Sequence, residues 1–312
     1  MQKAHNELLE ITWEITDNCY QDCSYCGSKD IINLTLIKEK KIKHIIDSIS
    51  YYPPKEINIS GGNPLLVSSD VHKYLTTTLH DAGVICKLII NPFNVRGTGL
   101  SYYDWVGVSI NTLEELNEFE TWNDKNNKTI ITNFNTDNIF LFTLIETMVI
   151  TYNLIWQVQY TMYSNTSPKA IYTNPDAKEY LFDKISKSNA KITVADNMNN
   201  GLCSAGKNSL GILANGDVIP CLSMRSWESK VKPLGNLHEH TLDYIWRDLF
   251  VSFRCSEFEC CKDKTNCQSD ELNVKKIKQN ILPKITSIPV PSIDRPFNPN
   301  MIMVYGVVRG LI

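Results

Sequence analysis

The sequence predicts an α/β fold, a parallel sheet or barrel with helices on its outside. Three observations carry this. Short apolar runs of strand length alternate with helix-length segments through the first two-thirds of the chain. Polar and glycine-bearing clusters follow those runs where strands end, the edge at which such folds collect function. The chain has 312 residues, 43% hydrophobic and 21% charged, which suits a globular protein with one large and one smaller domain.

The elements follow in order. EITWEIT (10–16) is a strand, and a Lys-rich helical pattern spans about 35–50. EINIS (56–60) is the second strand, followed by a helix over roughly 68–82. VICKLII (84–90) and WVGVSI (105–110) are the third and fourth strands, with a short helix near 112–119. KTIIT (128–132) and LIWQVQYTM (154–162) flank an apolar helix near 137–150. Further on, NGD (215–217) is a hairpin turn between LGIL and VIPC. Residues 235–254 read as a loop and an amphipathic helix.

Composition excludes several classes. A net charge of −3 gives no basic field for nucleic acid. The start of the chain has no signal-peptide h-region, and no run approaches the roughly 18 apolar residues of a membrane helix. The expected compartment is the cytoplasm, where thiols stay reduced, so ten clustered cysteines suggest metal over disulfides. Cys86, inside an apolar run, reads as a buried strand residue without chemistry.

The first cysteine group is Cys19, Cys23 and Cys26, directly after the first strand. A zinc site or an ordinary iron–sulfur cluster takes four thiolates, so a fourth ligand is missing. Other features map to the same rim. SGGNP (60–64) follows the second strand, Asn91 the third, and Ser109 and Asn111 the fourth; Gln157, Gln159 and Met162 lie on the sixth.

C-x3-C-x2-C after a first strand, with Tyr25 before the last cysteine, resembles the radical S-adenosylmethionine (SAM) enzymes. The resemblance implies a partial (β/α)6 TIM-like barrel. It implies that Cys19, Cys23 and Cys26 bind three irons of a [4Fe–4S] cluster, and that SAM supplies the fourth iron's ligands. GGNP is similar to the family's Gly-Gly-Glu-Pro motif, so Gly61, Gly62, Asn63 and Pro64 are expected at the SAM amino group, with Asn63 where Glu is usual. Tyr25 is expected near the adenine, and Ser109 near the ribose or carboxylate. Asn91 and Gln157 are further candidates for the same pocket.

The second cysteine group is Cys203, Cys221, Cys255, Cys260, Cys261 and Cys267. C-x12-G-x4-C over 203–221, with Gly216, is similar to the SPASM/Twitch extension that holds auxiliary iron–sulfur clusters. Its downstream C-x2-C-x5-C-x3-C survives only as Cys261 and Cys267; Phe258 and Glu271 replace the others. Six cysteines do not give two all-thiolate four-ligand clusters. One auxiliary [4Fe–4S] cluster is expected on Cys203, Cys221, Cys261 and Cys267, with Cys255 or Cys260 able to replace one ligand. Two clusters with an open or non-cysteine ligand, or a zinc knuckle, stay open.

The expected domains are 1–195 for the partial barrel, 196–282 for the auxiliary cluster domain and 283–312 for a tail. Family members with this extension mostly modify peptides or proteins, so the resemblance implies peptide maturation by crosslinking or epimerisation. A small-molecule dehydrogenase and a formylglycine-generating sulfatase maturase are the alternatives. Epimerases use a hydrogen donor opposite the radical, for which Cys255 and Cys260 are candidates. A first strand near residue 10 leaves no preceding leader-binding domain, so a leader is expected to be read by a separate leader-recognition protein, by the barrel itself, or not at all. A flavodoxin- or ferredoxin-like electron donor is a further candidate partner. The tail is expected to pack on the barrel or to gate its mouth, and His238 and His240 to lie at the surface.

Overall fold

The computed structural model describes residues 7–21, 23, 26, 38–93, 95, 99–125, 127–161, 175–195, 205–222 and 232–250. Tyr25, Met162, Cys203, the cysteines of 255–267 and the tail from 283 lie outside these residues.

Strands and helices alternate as β1 Glu10–Glu14, α1 Glu39–Tyr51, β2 Glu56–Ser60, α2 Ser69–Asp81, β3 Ile85–Ile90 and β4 Trp105–Ser109. They continue as α3 Leu113–Glu120, β5 Lys128–Phe134, α4 Phe142–Thr151 and β6 Ile155–Tyr160. Beyond the expected set come α5 Pro175–Lys187 and β7 Lys191–Val194. The hairpin is β8 Ser209–Ile212 and β9 Asp217–Ile219, followed by β10 Gly235–Asn236 and the short α6 Leu242–Tyr244, which runs into a π-helical turn Ile245–Leu249.

All ten described strands belong to one sheet, in the order β10-β9-β8-β1-β2-β3-β4-β5-β6-β7. From β1 to β7 the strands are parallel and in chain order, as a partial barrel requires. The hairpin is not a separate sheet. Its strand β8 pairs parallel with β1, Glu10 opposite Ser209, and continues the barrel sheet on the far side of β1.

The sheet has two unlike faces. One carries Ile11, Trp13, Ile57, Ile59, Leu88, Val108, Ile130, Trp156 and Val158, all fully buried in one core cluster with the helices. Helix α1 meets this core with Ile42, Ile45, Ile46 and Ile49, the i, i+3, i+4, i+7 stripe of an amphipathic helix. Each such side chain contributes about 1.5–3 kcal/mol by leaving water. The ends are capped locally. Ser68 accepts the Val71 N–H at the start of α2, and Thr112 and Glu115 form a reciprocal capping box on α3.

The other face, the lumen side, is polar. By register, Thr12, Asn58, Lys87 and Trp105 stand in one row, and Ser109, Ile131, Gln157 and Thr193 in another. Asn58 donates to Glu10, and Lys87 pairs with Glu56 at 2.7 Å.

Candidate active site

The site is built where β1 and β2 end. The parallel ladder does not stop with the strands. Ile15 N–H donates to the Ser60 carbonyl at 3.0 Å, Gly62 N–H to Thr16 at 2.7 Å, and Asn63 N–H to Asn18 at 2.7 Å. The glycine loop is thereby sewn to the segment that delivers Cys19. Only glycine fits. Gly61 has φ +136°, and a Cβ there would lie 2.5 Å from the Thr16 oxygen. A Cβ on Gly62 would lie 2.2 Å from the Asn18 oxygen. Among the described residues, no backbone N–H donates to the Gly61 or Gly62 carbonyl.

Asn63 is fully buried. Its Oδ1 accepts the Leu65 N–H at 3.1 Å and caps the 3-10 turn Pro64–Leu66. That bond fixes the amide orientation and leaves Nδ2 buried without a partner among the described residues. Asp17 Oδ1 and Asn18 Oδ1, on the adjoining segment, are in the same condition. Buried polar atoms of this kind are uncommon and point to a missing partner.

Cys19, Cys23 and Cys26 are all half-buried on the loop that follows. A turn closes with Cys26 N–H on the Cys23 carbonyl at 3.2 Å, and the Gln21 N–H points to Cys19 Sγ at 3.4 Å. Burial pushes the Cys19 thiol up, the Gln21 N–H opposes this, and the neighbouring Cys26 adds to the rise. The three do not converge within 4.8 Å of one another as ligands of a single ion would; among the described residues, His80, Cys86 and Asp104 do. A cubane bound at three corners holds its thiolates farther apart than one ion does. The donor set, the glycine cradle and the unpartnered polar atoms therefore fit a cluster with a polar small molecule beside it.

The His80 trio sits at the opposite edge, where β3 and β4 begin. Asp104 is committed there, accepting the Cys86 N–H at 2.7 Å and facing His80 at 2.9 Å. Burial pushes the Cys86 thiol up to about 12. Cys86 is buried on the core face, and these bonds clamp the strand start.

Other expected residues fall on the lumen side or its rim. Ser109 and Gln157 share a row through Ile131. Gln159 stands one step further along β6, opposite Asn133. Asn91 directly follows β3 and accepts the Phe93 N–H through Oδ1. Asn111 belongs to a buried network at the ends of β4 and β5. Its N–H donates to Glu115, its Oδ1 accepts from the Asn133 N–H at 2.7 Å, and Asn138 Nδ2 donates to its carbonyl. That network stiffens the rim. Sequence reasoning missed Thr12, Glu14, Asn58, Lys87 and Asn133 as lumen residues. The period-two alternation of the strands was the signal that exposes them.

On the other side of β1, the turn of the hairpin behaves as its NGD sequence requires. Gly216 has φ +89°, and Asn215 Oδ1 accepts the Asp217 N–H at 3.1 Å. Cys221 follows β9 and is half-buried. His238 is half-buried and stacks on the exposed His44 at 5.5 Å, while His240 is exposed. No described helix is long and apolar enough to cross a membrane.

Residues 203–268 match the SPASM family, an iron–sulfur cluster-binding domain. Among solved structures, the chain is similar to SuiB of Streptococcus suis bound to precursor peptide SuiA. The identity is 16%, 82% of this chain and 69% of that chain are covered, and the TM-score is 0.62. SuiB bound to S-adenosylmethionine matches with 16% identity, 80% and 68% coverage and a TM-score of 0.62. anSMEcpe with bound AdoMet and Cp18Cys peptide matches with 13% identity, 83% and 88% coverage and a TM-score of 0.56. No curated protein matches the sequence. Likeness at these identities concerns the fold: the chain shares the fold of these proteins, and its residues 203–268 match the SPASM domain.

Proposed function

We propose that this protein is a radical SAM enzyme that modifies a peptide, maturing a ribosomally made precursor by crosslinking or epimerisation. The observation that carries the reading is the bonding of the Gly61–Pro64 loop to Thr16 and Asn18, on the segment that leads directly into Cys19, Cys23 and Cys26. Similarity to SuiB, solved with its precursor peptide, and to anSMEcpe, solved with a peptide, supports the substrate class.

In this reading Cys19, Cys23 and Cys26 hold a [4Fe–4S] cluster, and SAM binds beside it. When bound, that pair would supply one chemistry, the one-electron reductive cleavage of SAM with an electron from a flavodoxin- or ferredoxin-like donor, to the end of removing a hydrogen atom from the substrate. The chain's own residues bind and orient. The free carbonyls of Gly61 and Gly62 suit the SAM ammonium, and the Asn63 Nδ2 suits its carboxylate. Ser109 and Gln157 offer polar contacts across the lumen. Residues 203–268 hold at least one auxiliary cluster, with Cys221 among its ligands.

The test is an anaerobic incubation of reconstituted, reduced protein with SAM and synthetic peptides translated from the short open reading frames nearest its gene. Mass spectrometry should show loss of two hydrogens for a crosslink, or one deuterium gained from heavy water for epimerisation. An unmodified peptide, with turnover of a small alcohol or sugar instead, contradicts the peptide assignment.

A further inference from the structure

Behind the glycine loop lies a polar contact that the reading above does not use. His72, near the start of α2, is 1% exposed, and Tyr103 is 7% exposed. His72 Nε2 lies 3.0 Å from the Pro64 carbonyl oxygen, and Nδ1 lies 2.5 Å from the Tyr103 hydroxyl. A carbonyl oxygen only accepts, so Nε2 carries the proton and donates to Pro64. Nδ1 is then a bare lone pair and accepts from the Tyr103 O–H. Both ring nitrogens are satisfied in one tautomer, and burial keeps that ring neutral by lowering its pKa.

The Pro64 carbonyl also accepts the Val67 N–H at 3.0 Å, so its two lone pairs are both used. Proline brings a fixed φ and no N–H. Its carbonyl is therefore the handle by which the loop is held from behind. The front of the loop is held by Thr16 and Asn18. Between the two holds lie the Gly61 and Gly62 carbonyls and the Asn63 amide.

We infer that His72 is a positioning residue for the SAM-binding loop, its Nε2–H fixing the Pro64 carbonyl and Tyr103 fixing the tautomer that can do so. The inference rests on the reading that the Gly61–Pro64 loop holds SAM. A histidine that only filled the core would be replaceable by any amide of similar size.

Two substitutions separate these roles. His72→Gln places its amide nitrogen near the position of Nε2 and keeps a donor for Pro64. His72→Asn places its amide near Nδ1, keeps a partner for Tyr103 and loses Pro64. SAM affinity is measured by calorimetry on anaerobically reconstituted protein, with iron content and melting temperature taken on the same samples. His72→Gln is expected within about twofold of wild type, and His72→Asn roughly fivefold weaker, the worth of one neutral hydrogen bond. Affinities of the two variants within about threefold of each other overturn the assignment, whether both bind well or both bind poorly. If His72→Asn does not fold, Tyr103→Phe takes its place. It is expected to weaken SAM about threefold, and unchanged affinity overturns the inference. Wild-type protein that takes up iron yet fails to bind SAM is a different failure, because it removes the reading of the loop itself.

Discussion

The two cysteine-bearing regions flank the same strand and face opposite edges of the sheet. Cys19, Cys23 and Cys26 follow the edge where β1 ends. Cys221 follows β9, which runs antiparallel to β8 and so heads back toward the edge where β1 begins. Five strand residues separate those edges, about 17 Å at the usual rise. Their supports differ as well. The segment that leads into the first region, Thr16 and Asn18, accepts backbone bonds from Gly62 and Asn63, in a loop whose two glycines tolerate no side chain. The second hangs on a hairpin whose ladder is two residue pairs long. The difference teaches that the first region is a seat fixed on both sides by backbone bonds and the second a short hairpin that continues the same sheet past β1.

The comparison is broken most severely at the glycine cradle. Gly62→Ala puts a methyl 2.2 Å from a backbone oxygen that cannot swing aside. SAM affinity should fall more than about tenfold and stability by about 1–3 kcal/mol, the usual cost of overpacking. Calorimetry and thermal melts read the two effects, and an alanine variant that binds SAM normally would contradict the fixed seat. At the hairpin, Cys221→Ala should cost about four irons of about eight. It should leave the melting behaviour of the barrel largely unchanged and leave substrate-independent SAM cleavage measurable by chromatography. Complete loss of that cleavage in a folded variant would mean that the two regions are not separable.

Asn63→Leu gives a smaller effect. It removes the cap on Leu65 and the buried amide nitrogen together. SAM should bind about tenfold more weakly, or about 1.4 kcal/mol, with a lesser loss of melting temperature from the cap. An affinity equal to wild type would reduce the loop's role to its glycines.

The smallest effect is in acid, and it separates the regions again. Burial lowers the His72 pKa from its ordinary 6.5. His238, beside the hairpin turn, is lowered by burial and by the charges of His44 and Lys41. In each case the unfolded chain binds the proton more readily, so this stability is fully present above pH 6.5 and is lost as pH falls below it. His72→Gln should flatten the acid limb of a melting-temperature profile more than His238→Gln does, because His72 is 1% exposed. Equal flattening would show that the depth of burial does not set the order.

Much of the barrel was legible in the sequence. Strands β1 to β6 and helices α1 to α4 carry regular apolar alternation or stripes, and the structure places them within a few residues of expectation. Helix α5 and strand β7 were not anticipated, and their signal is weak. Described burial in α5 is limited to Ala177 and Leu181, and β7 is a four-residue edge strand with no fully buried residue. The pairing of β8 with β1 was not legible either, since it joins residues about two hundred apart and no local pattern specifies a distant strand partner. The cysteine loop and the glycine loop were visible as motifs. Their mutual backbone bonds were not, because steric clearance at Gly61 and Gly62 is a property of two segments at once. His72 and Tyr103 are single residues 31 apart, and nothing in the spacing marks them as partners.

The central claim is that the loop after β1 seats a cluster at which SAM is cleaved. The most direct measurement is 5′-deoxyadenosine formed by reduced, anaerobically reconstituted protein, set beside the variant with Cys19, Cys23 and Cys26 all changed to Ala. The account predicts steady production by wild type with about eight irons per chain, and no production by the variant with about four. Equal production by both, or none by iron-replete wild type, would contradict it.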